Sequence, residues 1–93
     1  AFEEDINRAI QVIEKVSAEL ARSNENILEG PTVLGVTELG GPDVVLTVVA
    51  KTKAMEQWAV EREIRKGIKE AFDREGIEIS NSKVVVVDRG KES

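Results

Sequence analysis

Apolar residues recur along this chain in two rhythms, and the change between them divides it into elements. In DINRAIQVIEKVSAELARSN, Ile6, Ala9, Ile10, Ile13, Val16 and Leu20 return every three or four residues, with charged side chains mostly between them. That spacing predicts an amphipathic helix. Asp5 reads as its N-cap, and Glu3 and Glu4 suit the positive end of the helix dipole. Ser23 and Asn24 open an exit loop that Gly30-Pro31 closes. The rhythm then shortens to the period of a strand. TVLGVTELGGPDVVLTVVAKTK reads as a hairpin, with Thr32 to Leu39 on one side, Gly40-Gly41-Pro42-Asp43 as the turn and Val44 to Lys51 on the other. VVLTVVA is nearly continuous apolar and belongs at the centre of a sheet. Gly35 marks a bulge or the close approach of another backbone.

A second helical rhythm follows in EQWAVEREIRKGIKEAFDREG, with Val60, Ile64, Ile68, Ala71 and Phe72 as its buried stripe. Gly67 lies on that stripe, where it costs about 1 kcal/mol against alanine and admits tight helix–sheet contact. Gly76 and Ile77 form the pair that ends a helix in a Schellman motif. IEIS and KVVVVD then read as extended. In the second, Val84, Val85, Val86 and Val87 are consecutive, so both faces of the strand are apolar and both need cover.

The visible order is helix, strand, strand, helix, strand, strand. A ferredoxin-like α+β fold, a two-layer α/β sandwich, begins with a strand before the first helix. Only Ala1 to Glu4 are present to supply it, so the first strand is expected to be truncated or missing, leaving a gap inside the sheet. The expected organisation is a ferredoxin-like domain over 1–82 and an extra C-terminal valine strand with a charged tail over 83–93.

Composition narrows the function. Ninety-three residues make one domain, and with Met55 the only methionine the chain reads as a piece of a longer protein. Phe2, Trp58 and Phe72 are the only aromatics, so the core is aliphatic. The net charge of −5 is uneven: residues 1–46 hold three bases and nine acids, residues 47–93 ten bases and nine acids. An acidic half repels phosphate, which argues against a nucleic-acid partner. With no cysteine and no histidine, disulfides, thiol catalysis, Ser-His triads and ordinary zinc sites are excluded together. No apolar run reaches the length of a membrane span.

Each remaining candidate has a plainer explanation. Glu3-Glu4-Asp5 and the trio Asp73, Glu75 and Glu78 have oxygen ligands for a hard cation but lack EF-hand spacing, and acids at a helix start usually complement its dipole. GVTELGG lacks the Gly-Lys-Ser/Thr ending of a phosphate loop and leads into a strand. Trp58 is either an exposed ring for recognition or a rim over the sheet edge, the commoner outcome for an indole at a helix start. Arg62, Arg65, Lys66 and Lys69 interleave with acids, and Glu61–Arg65 and Glu70–Arg74 at i,i+4 make a solvated face. Ser17, Ser23, Ser80 and Ser82 have no base to activate them, so no enzyme, cofactor or metal is expected.

The run VLGVTELGGPDVVLTVVAKTKAMEQWAVEREIRKGIKEAFDREGIEI, with AFEEDINRAIQVIEKV ahead of it, resembles the cytoplasmic carboxyl-terminal domain of the small-conductance mechanosensitive channel (MscS) family. The resemblance covers almost all of residues 2–79. It departs at GIEISNSK, where Ser80 and Ser82 stand in place of prolines and Asn81 in place of an aromatic. It implies a homo-oligomer, heptameric in the intact channel, in which this domain walls a vestibule on the cytoplasmic side of the inner membrane. Lateral portals would pass ions and water during osmotic stress, and contact with the membrane would come only through a transmembrane part outside this sequence. By the same resemblance, Val84, Val85, Val86 and Val87 form an oligomer interface, covered by sister valines in a closed barrel. A second expectation is that the valine strand fills the gap left by the first strand, in its own or a partner's sheet. Two rivals differ in class. A small-molecule regulatory module would place a polar pocket near the Gly40–Asp43 turn. An RNA binder needs aromatics on central strands, which VVLTVVA lacks.

Overall fold

A computed structural model describes residues 2–38, 44–78 and 82–88, with side chains over 5–34 and 46–78. The element order is α1 (Phe2–Ser23), β1 (Ile27–Glu38), β2 (Val44–Thr52), α2 (Gln57–Glu75) and β3 (Ser82–Asp88). The chain is a small α+β domain in which two helices cover one face of a three-stranded sheet of order β1-β2-β3. β1 and β2 are antiparallel, and β3 runs parallel to β2.

β2 shows why the layers form. Leu46, Val48, Ala50 and Thr52 are buried, whereas Thr47, Val49 and Lys51 between them are half-buried. The period of two sends the first set under the helices and the second to the helix-free face. From the helices, Ile6, Ala9, Ile13 and Val16 of α1 meet Val60, Ile64, Ile68 and Ala71 of α2 in one aliphatic cluster with Ile27 and Ile77. Burying each large aliphatic side chain contributes about 1.5–3 kcal/mol. Phe72, expected in the buried stripe, sits half-buried at the cluster's margin.

Several expectations are corrected. Asp5 lies inside helix α1 rather than capping it, and residues 2–4 belong to the same helix, so among the described residues the first strand is missing, one of the two outcomes expected. β1 begins five residues before Thr32 and carries Gly30-Pro31 within it, joined by a cis peptide bond. Asn24 explains the early start. Its Oδ1 accepts from the Asn26 backbone N–H at 2.9 Å, a local turn that releases the chain into the sheet at Ile27. Gly67 lies against Val16 and Leu20 of α1, so its tight contact is helix–helix and not helix–sheet.

Other expectations stand. Gly76 adopts φ 71°, the Ile77 N–H donates to the Phe72 carbonyl at 2.9 Å, and the Gly76 N–H donates to that of Asp73 at 3.4 Å. These are the two bonds of a Schellman stop. Gly35 marks a bulge, because the register slips between Val33 and Gly35. The Gly40–Asp43 turn, and Ile79 and Ser80 of IEIS, lie outside the described residues.

Candidate assembly surface

The two edges of the sheet differ. On β1 the register with β2 slips at three places, between Ile27 and Glu29, Glu29 and Thr32, and Val33 and Gly35. Bulges and a proline are devices that stop an edge strand from recruiting another strand. Gly30 is the sharpest of these features: its φ is 82°, and a Cβ there would stand 2.8 Å from the Val49 carbonyl oxygen. Only glycine lets β1 lie this close to β2.

β3 has none of this. It pairs with β2 over seven consecutive residues, from Val44 opposite Ser82 to Ala50 opposite Asp88, with no slip. The four valines fall opposite Leu46, Thr47, Val48 and Val49. Val84 and Val86 thus stand at register positions opposite buried residues of β2, and Val85 and Val87 opposite half-buried ones. The valine strand belongs to the sheet of its own chain, where α2 acts as the crossover that parallel neighbours need. Along its other side β3 pairs with no strand among the described residues.

A second feature is apolar exposure at the start of α2. Trp58 is 60% exposed and Met55 is 72% exposed, so Trp58 is not the rim of the core that its helix-start position suggested. Helical phase explains the outward aim of Trp58, which lies on the side of α2 opposite Val60, Ile64, Ile68 and Ala71. Met55 takes φ 72°, rare for a residue with a side chain, in the turn closed by the Glu56 N–H on the Lys53 carbonyl at 3.1 Å. This turn is fastened to the opposite loop. The Lys53 N–H donates to the Asn26 carbonyl at 2.9 Å, Asn26 Nδ2 to Glu56 Oε1 at 3.3 Å, and Asn24 Nδ2 to Glu63 Oε1 at 2.6 Å. The period of the stripe Val60, Ile64, Ile68 and Ala71 sets Trp58 on the opposite side of the helix, a sequence signal for exposure that its place in the first turn obscures.

A hollow of about 250 Å³ opens on the helix-free face, lined by Glu29, Gly30, Thr32, Leu34, Val49, Ala50 and Lys51. The bulge that holds Leu34 leaves it 66% exposed at the margin. The hollow has one signal in the sequence, the Gly30-Pro31 pair, which read locally marks a loop and not a strand beside a hollow.

The charged residues elsewhere form a solvated surface. Arg65 Nε donates to Glu61 Oε2 at 3.1 Å, and Lys69 lies 3.8 Å from Asp73, while the Glu70–Arg74 pair does not form among the described residues. Arg8 donates to the Glu75 carbonyl at 2.8 Å and its guanidinium lies 3.5 Å from that carboxylate, tying α1 to the end of α2. Among the described residues no three acidic, histidine or cysteine side chains gather to hold a metal ion, and no helix is long and apolar enough to cross a membrane.

Comparison with known proteins identifies a family. The sequence profile of the family described as "Mechanosensitive ion channel MscS, C-terminal" matches residues 1–79. A small-conductance mechanosensitive channel of Caldanaerobacter subterraneus subsp. tengcongensis is 36% identical over 86 residues, 92% of this chain. The chain spans 30% of that relative's length.

Proposed function

Because the chain belongs to the mechanosensitive ion channel MscS family, as its C-terminal domain, we propose that it serves oligomer assembly in the wall of a channel vestibule. In this reading the intact protein is a ring of identical subunits, heptameric as the family resemblance implies. The domain lies on the cytoplasmic side of the inner membrane and borders lateral portals that filter solutes. The family is one of channels and not of enzymes, which fits a surface built from strand edges and apolar side chains. The small-molecule alternative is not favoured: among the described residues the hollow of about 250 Å³ falls below the roughly 300–1,000 Å³ of typical ligand pockets, and the Gly40–Asp43 turn, where that reading places its pocket, lies outside them.

The observation that carries the proposal is the contrast between the two edges. β1 is blunted by bulges and Pro31, whereas β3 is regular and rich in valine. An edge of the second kind invites another strand, and Val84, Val85, Val86 and Val87 are the residues we assign to contact with a neighbouring copy. The ferredoxin-like reading belongs here too. A split βαβ motif has a strand between its two parallel strands. The direct parallel pairing of β2 with β3 is that motif closed over the place of the missing strand, which another part of the intact protein would fill.

The test is the mass in solution, by light scattering after gel filtration, of this chain and of one ending at Ser82. We expect an oligomer that falls to monomer on truncation, with far-UV circular dichroism showing that both helices persist. An oligomer unchanged by truncation would remove the valine strand from the interface.

A further inference from the structure

We draw no further inference here: the strongest candidate, the exposed apolar projection of Met55, in the turn before α2, and Trp58, in its first turn, carries nothing because nothing in the structure shows what covers it.

Discussion

Three glycines show how the surroundings of a residue, and not its type, set the cost of changing it. Gly76 takes φ 71° with nothing within 4 Å of an added Cβ, so Gly76→Ala meets only the backbone cost of a left-handed residue, about 1–3 kcal/mol. Gly30 takes φ 82° and faces a backbone oxygen at 2.8 Å that cannot move without opening the β1–β2 ladder. Gly30→Ala adds that clash to a backbone cost of about 1–3 kcal/mol, and its urea midpoint should fall well below that of Gly76→Ala. Equal midpoints would mean that β1 does not approach β2 as described. Gly67 is the intermediate case, since its added Cβ would stand 3.0 Å from Val16 Cγ1, a side-chain atom. Alanine gains about 1 kcal/mol of helix propensity there, but Val16 is buried and β-branched, so its rotamer yields little. Gly67→Ala should therefore destabilise the parent and stabilise a Val16→Ala background. A double-mutant cycle reads the coupling, and additive effects would show that the two residues do not touch.

At the scale of elements, legibility followed the length of the repeating pattern. The stripe Val60, Ile64, Ile68 and Ala71 spans three turns of α2, and each of these residues is buried. The Schellman stop was equally readable, because its residues lie within one turn and need no information from elsewhere. β1 was harder. Its start depends on the Asn24–Asn26 turn and on pairing with β2, and Gly30-Pro31, a strong loop signal locally, is accommodated in the strand by bulges that only an edge permits. Gly67 was correctly expected to make a close contact and assigned the wrong neighbour, since one helix's pattern marks its buried side without saying what lies against it. The exposure of Trp58 was legible in the same period, which sets it opposite the stripe. The hollow was not, because it depends on a register slip that leaves no periodic trace.

At the scale of the molecule, helices cover one face of the sheet among the described residues, and β2 is the strand on which both layers converge. It supplies Leu46, Val48 and Ala50 to the core, Val49 and Lys51 to the hollow, and pairs with β1 on one side and β3 on the other. The amides of a central strand point alternately to its two neighbours, so each neighbour protects its own half of them. Hydrogen exchange can therefore separate pairing within a chain from pairing between chains. In dilute, monomeric protein the amides from Val44 to Ala50 should be slow on both sides of β2, because β3 of the same chain covers the second side over that span. A chain ending at Ser82 should lose protection at alternate positions only, with those directed to β1 remaining slow. Were alternate amides of the complete chain already fast when monomeric, the valine strand would reach β2 only through assembly, and the parallel β2–β3 pairing would belong to the oligomer. Were every β2 amide to become fast on truncation, β3 would instead belong to the cooperative unit that holds the domain together. In that case the valine strand serves the fold before it serves the interface.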